Sequence, residues 1–248
     1  MRMRIDVGLI FGLLIFPSLS IAESAFDYSV SGIVTYSEAD EQVKVDGKSA
    51  SFRAGGAGLR FGAQHDQYGT FYGSFGAGYS PKESASYSGS VLSGPAHGYF
   101  YGAGYSYDHD LSLRYKLTFS TDYVAHDITG DLEGEALGLP TVATITSDVS
   151  MLDLALALRY SFSRDLHLSF GAGIRKWQLD AFADGIIGDS IRATTQVEAG
   201  ATDPLYFLSL EFDVMDIPVK ASYLRSELSA DNSVVVHGLD FKFLLKDL

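Results

Sequence analysis

Phe75-Gly76-Ala77-Gly78-Tyr79 recurs as Tyr101-Gly102-Ala103-Gly104-Tyr105 and as Phe170-Gly171-Ala172-Gly173-Ile174, with a looser echo in Gly56-Ala57-Gly58-Leu59. Glycines so spaced also serve phosphate-binding loops, but those need a helix directly behind them to aim its first amides at the anion. No helical period follows any copy. Read with a period of two, the phrase has large apolar side chains and alanine on one face and only glycine on the other. That suits a strand whose outer face meets lipid and whose inner face must stay thin.

The same period runs outward from these copies. Residues 111–123 alternate Leu111, Leu113, Tyr115, Leu117, Phe119, Thr121 and Tyr123 with Ser112, Arg114, Lys116, Thr118, Ser120 and Asp122. Residues 152–162 set Leu152, Leu154, Leu156, Leu158, Tyr160 and Phe162 against Asp153, Ala155, Ala157 and Arg159. In all, ten segments alternate, near residues 26–36, 50–63, 71–79, 99–107, 111–123, 152–162, 166–175, 205–214, 219–228 and 235–243, with eight strands as the alternative count. A soluble sandwich would bury such faces equally well, so the connections decide. Those after the second, fourth, sixth and eighth segments are turns of a few residues, at 65–69, 108–110, 163–165 and 215–218. Those after the first, third, fifth and seventh are long. Sorting by parity is the turn-and-loop asymmetry of outer-membrane barrels, and an even count places both termini in the periplasm.

Aromatic residues fall into two girdles on this layout. Phe26, Tyr28, Phe61, Phe71, Tyr105, Tyr107, Tyr160, Phe162, Phe212, Phe241 and Phe243 lie toward the turns. Tyr36, Phe52, Tyr79, Tyr99, Tyr123, Trp177, Tyr206 and Tyr223 lie toward the loops. Amphipathic rings favour both edges of a bilayer.

The N-terminus reads as an export signal. Arg2 and Arg4 precede an apolar run over residues 7–16, and Ser20 and Ala22 form a small-x-small cleavage site, so residues 1–22 are removed and 23–248 form one barrel domain. The whole chain carries −13, and losing Arg2, Arg4 and Asp6 makes the remainder one unit more negative. With no basic cluster, such a chain repels nucleic acid. Cysteine is absent, which removes disulfides and Cys-ligated zinc.

From end to end, residues 23–248 resemble a small Gram-negative outer-membrane β-barrel protein. The resemblance is to the class: an all-β, closed, antiparallel, up-and-down transmembrane barrel, monomeric, in contact with outer-membrane lipid and lipopolysaccharide. One departure stands at the C-terminus, where residues 244–248 follow Phe243 although such barrels commonly end on an aromatic; the last strand then slides to end on Leu248.

Charged residues at inward positions are Arg60, Arg114, Lys116, Asp153, Arg159, Arg175, Glu211, Lys220, Asp240 and Lys242. In so narrow a barrel they predict a salt-bridged plug, with a selective pore as the alternative; a porin-sized channel needs about sixteen strands. The glycines are expected to leave room for the Arg and Lys side chains of the fifth to seventh strands. Catalysis has one weak candidate cluster, Asp122, His126 and Asp127 at the loop end, with Asp180 and Asp184 on a neighbouring hairpin. Omptin proteases use acidic residues and an Asp/His pair at that rim, yet no omptin or lipid A deacylase motif matches here residue by residue. The default for His126 is a solvated loop histidine. No cofactor or metal is implied.

The long segments carry the remaining signal. Residues 125–148 hold Asp127, Asp131, Glu133, Glu135 and Asp148 with no Lys or Arg, and the next long segment adds Asp180, Asp184, Asp189, Glu198 and Asp203 against Arg192. Solubility and coexistence with lipopolysaccharide through divalent cations account for such charge. The β-branched stretches 141–146 and 191–197 extend the strands as projecting hairpins, which offer a surface to a host or other extracellular ligand.

Overall fold

The computed structural model describes residues 26–247, apart from 46, 51, 52, 88, 89 and 189. The predicted signal peptide, Phe52, Asp189 and the Leu248 end lie outside the described residues. Twelve strands are described: β1 (Asp27–Ala39), β2 (Val43–Val45), β3 (Lys48–Ala50), β4 (Arg53–His65), β5 (Gly69–Tyr87), β6 (Ser90–Asp110), β7 (Tyr115–Ala136), β8 (Leu139–Ser161), β9 (Leu166–Ile187), β10 (Ile191–Val214), β11 (Ile217–Ser229) and β12 (Ser233–Asp247). All except β2 and β3 form one antiparallel ring of ten, closed where β1 pairs with β12. Closure removes the two sheet edges that a ten-stranded open sheet would leave unpaired.

Alternation sets which way each face points. Leu117 and Phe119 on β7, Leu152, Leu154 and Leu156 on β8, Phe170 and Ile174 on β9, and Leu208 and Leu210 on β10 all lie outside and are 37–59% exposed. A continuous apolar belt of that kind is stable only against hydrocarbon. On β8 the belt spans residues 152–160, close to the roughly 9–11 residues that a tilted strand needs to cross. Aromatic clusters mark the turn end, with Phe71 and Tyr105 at 4.8 Å, Tyr115 and Tyr160 at 5.0 Å, and Tyr160 and Phe162 at 4.7 Å between centroids.

The turns at this end lie at residues 66–68, 111–114, 162–165 and 215–216. Met215 and Asp216 both have positive φ (52° and 64°), the twist of a two-residue hairpin matched to right-handed strands. One turn differs from expectation. β6 runs through 108–110, and the reversal is at 111–114, where Leu111 and Ser112 both donate backbone hydrogen bonds to the Tyr115 carbonyl. The apolar/polar alternation continues through this turn, so the sequence pattern hides it.

At the opposite end there are few true loops among the described residues. Segments 81–96 and 125–149 are almost entirely strand, and β7 and β8 meet at a two-residue turn, Leu137 and Gly138. β5 to β10 have 19 to 24 residues each, against 13 in β1, β4 and β11 and 15 in β12. Six strands therefore continue past the belt as a curved wall. Its inner face has its own small core, including Leu132 at 1% exposure opposite Ala143, with Val45 and Val234 also buried. The β2–β3 hairpin pairs with β5 through Lys48 and Tyr87, then reaches across the mouth. Lys44 N–H donates to Asn232 Oδ1 (2.8 Å), Asp231 N–H to the Lys44 carbonyl (2.9 Å), and Lys48 Nζ to the Gln196 carbonyl on β10 (2.6 Å).

Candidate functional site

Inside the belt, the glycine phrases are filled by rings. A Cβ on Gly76 would sit 2.5 Å from the Phe100 ring, one on Gly104 2.5 Å from the Tyr72 ring, and one on Gly171 2.3 Å from the Phe207 ring. The space that sequence reasoning assigned to Arg and Lys side chains is thus taken by inward aromatics. Phe100 immediately precedes the second phrase and has the parity of its glycines, so it turns into the lumen.

The charged groups lie beside these rings. The Arg60 guanidinium stacks 4.3 Å from the Tyr72 centroid, and the Tyr72 hydroxyl donates to Asp122. Asp122 faces Asp153 across the β7–β8 ladder, and Asp153 accepts two hydrogen bonds from Arg175, Nε to Oδ1 at 2.8 Å and the second guanidinium nitrogen to Oδ2 at 2.7 Å. Nearer the turns, Glu211 takes Arg159 at 2.7 Å and Lys220 at 3.1 Å, and Lys242 stands opposite Lys220. Asp240 is opposite Ser222 and Thr35. One predicted lumen residue sits elsewhere, Arg114, in the exposed turn at 111–114; Lys116 keeps the inward face opposite Arg159 and pairs with Asp110 at 3.2 Å at the half-exposed rim.

Trp177, expected in the loop-end girdle, is instead inside and 3% exposed. Its indole N–H donates to Asp203 Oδ2 (2.7 Å), which also accepts the Ser229 amide (3.0 Å). This buried triplet ties β9, β10 and β11 together just above the Asp153–Arg175 pair.

The candidate catalytic cluster does not assemble. Asp122 and His126 both face inward but lie four residues apart on one strand, about 13 Å along it. Asp127 has the opposite parity and faces out, opposite Asp148. His126 is also not a solvated loop residue; its ring packs 5.9 Å from Phe100 within the lumen.

The outer wall shows an alignment that spacing along the chain conceals. Asp127, Asp148, Asp180 and Glu198 stand directly opposite one another on β7, β8, β9 and β10, a row of four carboxylates. Like charges so placed repel. Gln196 Nε2 relieves part of this by donating to Asp180 (3.1 Å) and Glu198 (2.9 Å). Among the described residues no carboxylate or histidine group is arranged to hold a metal ion. Higher on the wall Thr144 donates to Asp131 (2.7 Å) and Arg192 pairs with Asp184. The Arg192 hydrogen bond, more than its charge, holds the Asp184 carboxyl below its ordinary range. β11 pairs with β10 only from Leu205 onward; before that, the Gln196 carbonyl accepts from Lys48 of the β2–β3 hairpin and Asp203 from the Ser229 amide.

This is the fold of bacterial outer-membrane β-barrels. The translocator domain of the autotransporter NalP from Neisseria meningitidis matches with a TM-score of 0.54 at 11% identity, over 90% of this chain and 89% of that one. Ail, the attachment invasion locus protein of Yersinia pestis, matches over 88% of this chain and 96% of its own, at 13% identity and a TM-score of 0.38. The outer membrane protease OmpT from Escherichia coli matches over 91% and 97%, at 8% identity and a TM-score of 0.44. No family model and no curated protein matches the chain.

Proposed function

We propose that the chain is a non-enzymatic outer-membrane barrel, with both termini periplasmic, whose six long strands project from the cell as a surface-interaction wall. The observation that carries this reading is the wall itself: β5 to β10 are roughly twice the length a crossing strand needs, and the surplus is folded, with a core of its own. The ion pairs of Arg175 with Asp153 and of Arg159 and Lys220 with Glu211 support a plugged lumen. The acidic row keeps the outer wall hydrated and negatively charged, and the projecting wall offers its outer face to an extracellular partner.

The test is adhesion by bacteria displaying the full chain, against bacteria displaying a variant whose β7–β8 hairpin is cut back to the Ile128–Ser147 pair and closed with Asn-Gly. Heat-modifiable gel migration checks that the barrel still folds. Adhesion gained with the full chain and lost with the shortened one is the expected result. Cells that adhere no better with the chain than without it would refute the reading. In planar bilayers, a steady porin-sized conductance would refute the plug.

A further inference from the structure

On the outer face, where β1, β12 and β11 meet, lies a groove of about 290 Å³, close to the roughly 300 Å³ at which small-ligand pockets begin. Tyr36 and Tyr223 stand on either side of Leu239, their direct neighbour across the two ladders, and Glu38, Asp40 and His237 line the end further from the turns. Asp40 is held there by its backbone N–H, which donates to the Val235 carbonyl (3.0 Å). The groove has a definite height in the membrane. Leu239 and Phe241 belong to the exposed apolar belt, whereas β1 and β11 end within a few residues beyond the groove, so it opens at the level of lipid headgroups.

Hydrogen bonds fix both tyrosine rings, which are 39% and 40% exposed. Tyr36 O–H donates to Glu38 Oε2 (2.6 Å), and Tyr223 O–H donates to His237 Nδ1. The imidazole tautomer that accepts there carries its proton on Nε2, which donates to Asp40 Oδ2 (3.2 Å). The two carboxylates differ in their balance. Glu38 is paired with Arg53, whereas among the described residues the Asp40 carboxylate meets only this neutral imidazole, so a negative charge is left beside the rings. Aromatic faces next to an uncompensated carboxylate are the chemistry that takes a quaternary ammonium. Arg225 stands directly opposite His237, exposed and with no ion pair among the described residues, where its guanidinium can take a phosphate.

We infer that this groove binds the phosphocholine headgroup of a bilayer lipid, with the trimethylammonium between Tyr36 and Tyr223 against Asp40, the phosphate on Arg225, and an acyl chain running over Leu239 and Phe241. The inference concerns the short-stranded side of the barrel and stands apart from the adhesive role of the wall.

The test uses the full chain with ¹³C-labelled histidine in nanodiscs of phosphatidylglycerol, which has no ammonium, titrated with soluble phosphocholine. His237 reports on the groove, and His109, exposed at the turn end, is the internal reference. The expected result is a saturable shift of His237 with His109 unmoved, and the same shifted position without any titrant in nanodiscs of phosphatidylcholine. Tyr36→Leu together with Tyr223→Leu should weaken the apparent affinity about fivefold to thirtyfold, the size of two exposed cation–π contacts. Arg225→Gln should weaken phosphocholine and leave the binding of choline alone unchanged. A His237 shift that rises linearly, or that soluble phosphoglycerol matches, would overturn the inference, as would an unchanged affinity in a double variant that keeps its heat-modifiable migration. A His237 signal that stays at its unshifted position in phosphatidylcholine would overturn the lipid as the occupant. The first arm reads the unmodified protein, so a variant that fails to fold does not protect the proposal.

Discussion

Replacing Arg175 by methionine tests whether the lumen charges hold the barrel together. The Arg175 and Asp153 side chains are 11% and 17% exposed and share two hydrogen bonds of 2.8 and 2.7 Å. Without Arg175, Asp153 stands uncompensated beside Asp122, its direct neighbour across the β7–β8 ladder. Removing one partner of a buried pair costs about 3–5 kcal/mol, because the other charge stays out of water. That is more than a hundredfold in the folding equilibrium, at about 1.4 kcal/mol per decade. Asp153→Leu combined with Arg175→Met leaves no orphaned charge there and should recover most of the loss. Urea unfolding in lipid vesicles measures it, followed through Trp177, the chain's single tryptophan, buried two residues from Arg175 on the same face. A single variant that loses less than about 1 kcal/mol, or a double variant as damaged as the single one, would refute the argument.

Leu156→Arg, in the apolar belt, should destabilise by about 2–4 kcal/mol in the same assay, whereas Phe182→Arg, on the wall beyond it, should stay within about 0.5 kcal/mol. Brominated acyl chains should leave Trp177 emission intact, since the indole faces the lumen; strong quenching would return it to the lipid girdle. Asp203→Ala should cost about 1–3 kcal/mol and redden the emission, because the indole N–H and the Ser229 amide both lose their acceptor. On the wall, the Asp184 carboxyl is held below its ordinary value of 3.8, so the Arg192 pair contributes above that pH and is lost as pH falls through the lower folded value. Asp184→Asn should therefore speed amide exchange in the β9–β10 hairpin at neutral pH and make no difference in strong acid.

Much of the interior could be read from parity alone. Trp177 shares the parity of Arg175, and carrying that alternation two residues further places the indole inside, where the structure has it; a girdle assignment based on residue type overrode the stronger signal. Phe100 was legible in the same way, one residue before a phrase whose glycines face inward. Parity likewise parts Asp127 from Asp122 and His126, which is why the candidate catalytic cluster separates on opposite faces of β7. Arg114 was not legible, because residues 111–114 keep the strand alternation while their amides make a turn.

By itself, then, the sequence determined the two-faced strands and the end at which the short turns lie, since the faces follow from a period of two set by local backbone geometry. Only the tertiary structure decided what stands beside what. The row of Asp127, Asp148, Asp180 and Glu198, the pairing of Asp153 with Arg175 and the seating of Phe100 over Gly76 all depend on register. A slip of two residues preserves every inside and outside assignment while moving each partner by nearly 7 Å. Closing the ring through β1 and β12 fixes that slip for all ten strands at once, and no local stretch of sequence carries that constraint.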